Sequence, residues 1–74
     1  MKQETIDFIN KLKLKLNLIP LTERERSILS YRFGLTDNNL HTLEETGTQF
    51  GITRERVRQI QMKAKERLKM LQRA

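Results

Sequence analysis

The fold of this 74-residue chain is decided by residues 43–64, which read LEETGTQFGITRERVRQIQMKA. The stretch reads as two short helices joined by a tight turn. Thr42 and Thr53 stand where each helix needs an N-cap, and Glu45 follows Thr42 by three residues, which completes a capping box. Gly51 can adopt a positive φ at the turn without steric cost. The pattern predicts a helix-turn-helix.

Small and apolar residues recur in this stretch at the spacing that packs the two helices together. Gly47 allows a close approach of the backbones, and Val57 and Ile60 face inward from the second helix. The set predicted to hold the pair together is Leu43, Gly47, Phe50, Ile52, Val57 and Ile60.

The start of the second helix is left with outward-facing polar side chains. A helix-turn-helix places the N-terminal residues of its second helix against base edges in the major groove of DNA. The outward-facing set is Arg54, Glu55, Arg58 and Gln59. We therefore predict that this stretch reads DNA.

The net charge of +6 is concentrated in one part of the chain. Residues 1–53 carry seven basic and seven acidic side chains, whereas residues 54–74 carry eight basic and two acidic ones. The whole excess therefore lies on the last helix, which is the electrostatic footprint expected of a nucleic-acid binder. A solvated surface helix can have the same composition, so the charge alone does not decide between the two.

The composition excludes several classes of protein. There is no cysteine, and His41 alone cannot build a zinc site. No apolar run is long enough to span a bilayer and no signal-peptide pattern is present, so a cytoplasmic protein without a membrane partner is expected. Paired carboxylates, a nucleophile with a base and a phosphate-binding glycine loop are all missing from the pattern. We predict neither an enzyme nor a cofactor.

The N-terminal segment, residues 1–19, gives two signals. Apolar residues near one helical face favour a helix. Leucines that alternate with lysine or asparagine over residues 12–18 are typical of a strand, but no partner strand is found elsewhere. A helix is therefore predicted, with Leu14 and Leu18 left at the surface, either as ordinary exposed residues or as part of a partner surface.

The middle of the chain predicts a second helix over residues 21–34. Pro20 ends the first helix, Thr22 and Glu25 form another capping box, and Gly34 closes the helix. Its predicted core residues are Ile28, Leu29 and Phe33, and the predicted buried stripe of the last helix is Val57, Ile60, Ala64, Leu68 and Leu71. The fold class is thus all-α, a small four-helix domain with a C-terminal helix-turn-helix.

Two segments resemble region 4 of bacterial housekeeping-type sigma factors of the sigma-70 family, the RNA polymerase subunits that recognise promoters. They are LTERERSILSYRFGL (residues 21–35) and TLEETGTQFGITRERVRQIQMKAKERL (residues 42–68). The words YRFGL and TRERVRQI are the most specific parts. The resemblance implies one domain over residues 1–74, with an N-terminal helix (1–19), a region 4.1-like helix (21–34) and the helix-turn-helix (42–72).

The same resemblance implies that the last helix binds the −35 element of double-stranded promoter DNA. Arg54, Glu55 and Gln59 match the base-reading positions of the family. Arg56 and Arg58 match positions at or near the DNA backbone.

Further contacts with the DNA backbone are predicted for four other residues. Lys63 matches a position used for contacts with DNA or activators. Thr42, Leu43 and Glu44, at the start of the first helix of the motif, can meet phosphate through backbone N–H groups.

The resemblance also implies that the domain docks on the flap of the polymerase β subunit. The apolar side chains predicted to form the groove for this or another partner are Leu12, Leu16, Leu29 and Phe33. A transcription activator or an anti-sigma factor could use the same surfaces. A protein-interaction module with weak or secondary DNA binding is thus the alternative function, and an unrelated helix-turn-helix repressor is a third, less favoured one.

The chain departs from the family pattern at three positions. Thr46 stands where valine is usual, Gln61 replaces an acidic residue, and Met62 replaces alanine. Weaker packing of the two motif helices is expected from Thr46.

Overall fold

The computed structural model describes residues 2–73, which form four α-helices. Helix α1 spans Gln3–Lys15, α2 spans Glu23–Phe33, α3 spans Leu43–Phe50 and α4 spans Arg54–Arg73. No strand occurs within these described residues. The predicted all-α, four-helix fold with a C-terminal helix-turn-helix is confirmed.

Local side-chain hydrogen bonds start three of the helices. In α2, the Glu25 N–H donates to Thr22 Oγ1 over 3.1 Å and the Thr22 N–H donates to Glu25 Oε1 over 2.9 Å. Thr42 and Glu45 repeat this capping box at α3, with distances of 3.0 and 2.8 Å. At the start of α4, Thr53 Oγ1 accepts a hydrogen bond from the Arg56 N–H over 3.0 Å. Each cap satisfies N–H groups that have no partner inside the helix.

Two glycines end the middle helices in the left-handed conformation. Gly34 follows α2 with φ 60°, and Gly51 follows α3 with φ 67°. Most residues with a Cβ are strained in this region, so glycine lets each helix stop within one residue. The turn between α3 and α4 is short for this reason.

The first helix differs from its prediction at its C-terminal end. It leaves the α-helical conformation after Lys15 rather than continuing to residue 19, and Leu16–Leu18 form one 3₁₀ turn. Ile19 is then extended, with φ −97° and ψ 146°. The ring of Pro20 disfavours the α-helical conformation for the residue before it, so the chain must straighten here.

The core joins α1, α2 and α4 around one apolar cluster. It consists of Leu12, Ile19, Leu21, Ile28, Leu29, Phe33, Val57, Ile60, Ala64 and Leu68. Leu71, predicted to be buried, is half-buried at its edge. Leu14 and Leu18 are 80% and 67% exposed, so the prediction that they stay at the surface is confirmed.

Helix α3 packs on this core through Leu43 and Phe50, which are half-buried, and through Thr46, which is fully buried. The Thr46 hydroxyl donates to the Thr42 carbonyl oxygen over 2.8 Å. A buried hydroxyl is costly mainly when it lacks a partner, so this bond offsets much of the cost of having threonine here.

Among the described residues, no helix combines the length and the apolar character that crossing a bilayer requires.

Gly47→Ala tests the close contact between α3 and the turn that follows it. A Cβ at this position would lie 2.6 Å from the Ile52 carbonyl oxygen and 3.3 Å from the Arg54 nitrogen, so the backbone must shift. We expect the free energy of unfolding, measured by urea denaturation, to fall by about 1–3 kcal/mol.

The control for this experiment is Gly51→Asn. A Cβ at Gly51 meets nothing within 4 Å, and asparagine tolerates a positive φ better than most residues do. Its loss of stability should be the smaller one. Equal losses in the two variants would contradict the steric explanation.

Candidate nucleic-acid interface

The first turns of α4 have one buried and one exposed side. Val57 and Ile60 are 0% and 2% exposed and hold the helix against the core. The side chains predicted to face outward are all exposed: Arg54, Glu55, Arg58 and Gln59. Their outward orientation is confirmed, and their contacts with bases stay a prediction.

Glu55 and Arg58 form an ion pair along this exposed side. The Arg58 Nε donates to Glu55 Oε1 over 2.9 Å, and its Nη2 donates to Oε2 over 2.6 Å. These hydrogen bonds lower the pKa of Glu55 and raise that of Arg58. The remaining Nη1 donates to the sulfur of Met62 over 2.8 Å. The carboxylate therefore stays charged, and its lone pairs can accept from a base edge as well.

A second, more buried carboxylate joins α2 to α4. The Lys63 ammonium lies 2.9 and 3.1 Å from the two carboxylate oxygens of Glu25, and Arg56 Nη2 lies 4.0 Å from Oε2. Burial by itself would raise the pKa of Glu25. The Thr22 N–H and the Lys63 ammonium outweigh that effect, so the pKa is lowered. Lys63, predicted as a DNA backbone contact, thus has an internal partner.

The start of α3 lies at the other end of the motif and is open to solvent. Thr42 and Glu44 are exposed and Leu43 is half-buried. The first backbone hydrogen bond of α3 runs from the Thr46 N–H to the Thr42 carbonyl oxygen. The N–H groups of Leu43 and Glu44 come before it and therefore have no backbone acceptor within the helix. Such N–H groups point toward an anion placed at the helix start.

Arg24 fixes the far end of α3 on α2. Its Nη2 donates to the Phe50 carbonyl oxygen over 2.6 Å, and the guanidinium lies 5.9 Å from the centre of the Phe50 ring. Tyr31 meets the same ring edge to face, with centroids 5.7 Å apart. The orientation of α3 therefore depends on α2 as well as on α4.

Arg32 makes a further connection that the sequence pattern did not reveal. Its Nε donates to Gln61 Oε1 over 2.6 Å, and its Nη1 donates to the carbonyl oxygen of His41. The His41 ring stacks on Tyr31 and contacts its carbonyl oxygen through Nδ1 over 2.8 Å. The partners of Arg32 lie 9 and 29 residues away in the chain, so no local motif marks them. His41, given no role from the sequence, fixes the loop that leads into α3.

The apolar groove predicted from the sequence is not present in that form. Leu12 and Leu29 are 0% exposed, so the prediction that they line a groove for a partner is wrong. Both side chains are completely buried in the core. Leu16 is half-buried. Phe33, 6% exposed, lines a surface groove together with residues that were not predicted to do so.

The groove that Phe33 lines lies between α1, the end of α2 and α4. Phe8 meets Phe33 edge to face, with ring centroids 5.3 Å apart, and both rings line it. Met62, 55% exposed, lies on the α4 side. The full lining is Glu4, Thr5, Phe8, Arg32, Phe33, Gln61, Met62 and Lys65.

Within residues 2–73, no three histidine, aspartate or glutamate side chains come together in a way that could hold a metal ion.

Comparison with known proteins places this sequence in a family. The model of the family described as "Sigma-70, region 4" matches residues 18–70. RNA polymerase sigma factor SigA of Lactococcus lactis subsp. cremoris is 44% identical over 71 residues, which cover 90% of this chain. SigA of Lactococcus lactis subsp. lactis (strain IL1403) shows the same identity and coverage. SigA of a Bacillus species is 57% identical over 49 residues, or 66% of this chain.

These relatives are much longer than the region they share with this chain. The match covers 20% of the first Lactococcus protein, 18% of the second and 13% of the Bacillus protein. The chain therefore spans a fifth or less of the length of the curated relatives it matches.

Glu25→Gln is expected to lower the free energy of unfolding at neutral pH and to lose that effect in acid. The pKa of Glu25 is lower in the folded protein than its ordinary value of 4.5. Its carboxylate therefore stabilises the fold above that pH, and the contribution is lost as the pH falls through the folded-state pKa. Urea denaturation over a pH series measures the difference between wild type and variant.

Glu23→Gln is the matched control, because Glu23 lies in the same first turn of α2 and is exposed. It should cost less stability at neutral pH. If the difference in free energy of unfolding between wild type and Glu25→Gln stayed the same in acid, the ionised Glu25 carboxylate would not be its cause.

Proposed function

Because this chain belongs to the Sigma-70, region 4 family, we propose that it reads the −35 element of promoter DNA as the DNA-binding domain of an RNA polymerase sigma factor. The observation that carries the proposal is the exposed row of Arg54, Glu55 and Gln59 at the start of α4. This helix also bears the whole net charge of +6.

The three side chains suit base recognition in the major groove. Arginine can donate two hydrogen bonds to the O6 and N7 of guanine, and glutamate can accept from the N4 of cytosine. Glutamine can bind adenine or contact the methyl group of thymine. Glu55 is paired with Arg58 in the absence of DNA, and because both side chains are about half exposed, a base edge can replace the guanidinium.

The predicted phosphate contacts flank this row on two helices. At the start of α3, Thr42, Leu43 and Glu44 would contact phosphate, and Arg56 and Arg58 would do so from α4. Lys63 would reach a phosphate only in competition with Glu25. Glu44 carries a negative charge, so its contribution would come from its backbone N–H rather than from its side chain.

Gln59→Ala should reduce the preference for a duplex containing a TTGACA-type −35 element over a scrambled duplex. We expect a loss of discrimination of about 1–3 kcal/mol, because one base-reading contact is removed. Fluorescence anisotropy at low and moderate salt measures both affinities.

Arg56→Ala is the comparison for this experiment. It should weaken binding to both duplexes alike and reduce the salt slope by about one unit. Equal losses from Gln59→Ala on both duplexes would argue against base reading.

The groove between α1 and α4 supports a second activity, docking on the β-subunit flap of RNA polymerase. Its apolar lining of Phe8, Phe33 and Met62 would accept the apolar side of a partner helix. Arg32 and Lys65 lie in the same groove and would favour acidic side chains on that partner. An activator or an anti-sigma factor could use the groove in the same way.

Met62→Lys should weaken binding of a flap-helix peptide by about 1–2 kcal/mol, on the order of ten-fold, because a charge replaces an apolar contact. The measurement is made at a salt concentration that abolishes DNA binding. Met70→Lys is the matched control: Met70 is on the same helix, is also 55% exposed and lies outside the groove. If both substitutions weakened peptide binding equally, the peptide would not bind in this groove.

A further inference from the structure

We propose that Glu25 is an internal counter-ion for α4, which limits how many of its basic side chains are free to meet DNA phosphates. The role rests on the proposed DNA binding and assigns a positioning residue to it. Glu25 belongs to α2 and is remote in sequence from the residues that it affects.

The geometry brings two predicted phosphate-binding residues to one carboxylate. Arg56 and Lys63 are seven residues apart on α4, so they lie two turns apart on the same side of the helix. Both oxygens of Glu25 accept from Lys63, and Arg56 lies 4.0 Å from one of them. The side chains of Arg56 and Lys63 are 52% and 37% exposed, so a phosphate could still approach either one.

Glu25 cannot withdraw from this position, because its side chain is only 7% exposed and its Oε1 also accepts the Thr22 N–H of the capping box. A phosphate that approaches Lys63 therefore competes with an anion that is already bound. The ion pair between Glu55 and Arg58 differs in this respect. Glu55 and Arg58 have side chains 56% and 48% exposed, so solvent can replace either partner.

This arrangement predicts a specific effect on salt dependence. The slope of log K against log salt measures the number of phosphates neutralised, at about 0.9 per contact for double-stranded DNA. A lysine that is neutralised inside the protein adds little to that slope. Release of Lys63 should therefore make the slope steeper.

The experiment compares Glu25→Gln with Glu23→Gln. Both substitutions raise the net charge by one, but Glu23 lies two residues earlier and is exposed. Glutamine keeps an oxygen that can accept the Thr22 N–H, so the cap of α2 is retained. Anisotropy titrations over a salt series, on promoter and scrambled duplexes, should give Glu25→Gln the steeper slope by about 0.9, the value of one released contact. Equal slopes for the two variants overturn the proposal.

A double variant, Glu25→Gln with Lys63→Met, covers the case in which the single variant fails to fold. Removal of both members of a buried ion pair is often neutral for stability, whereas removal of one leaves an unpaired charge. The double variant should bind with a slope equal to or steeper than that of the wild type. A slope reduced by about one unit would mean that Lys63 contacts phosphate independently of Glu25, and would overturn the proposal.

Elution from immobilised heparin, a sulfated polyanion, separates this proposal from promoter reading. Later elution of Glu25→Gln than of Glu23→Gln supports the counter-ion role even if the wild type shows no preference for promoter DNA. If the two variants elute together and the wild type prefers promoter DNA, the protein reads promoters but Glu25 does not act as a counter-ion.

Discussion

The close approach of α3 to the start of α4 is the constraint on which the rest of the structure depends. Gly47 has no side chain, so its backbone can lie against the Ile52 carbonyl, and its own carbonyl oxygen accepts the Ile52 N–H over 2.9 Å. This contact fixes where α4 begins and, with it, which residues of its first turns face outward. Val57 then reaches the core while Arg54 remains exposed.

Much of this fold could be predicted because its signals are local. Each capping box places a threonine and a glutamate three residues apart, and Gly34 and Gly51 follow the helices that they end. The outward orientation of Arg54 followed from helical periodicity once the start of α4 was known. The end of α1 was missed because Leu16 continues the apolar pattern, although Pro20 restricts the residue before it.

The parts that could not be predicted depend on contacts between distant segments. The sequence marks Leu12 and Leu29 as apolar but does not say whether they line a groove or fill the core; the packing of α1 on the rest of the protein decides that. The pairing of Glu25 with Lys63 spans 38 residues, and the family resemblance implied only a contact with DNA or an activator for Lys63. Charge patterns identify a face of a helix, whereas its partners follow from the tertiary structure.

The groove lined by Phe8 joins the first helix of the chain to the last, and this has a thermodynamic consequence. A ligand seated there can bind only while α1 and α4 are packed together, so its binding free energy adds to the stability of the native state. The helix that would read DNA is one wall of that groove. A groove ligand and a DNA duplex that both require the docked arrangement of α4 would therefore strengthen each other's binding, reciprocally and without touching.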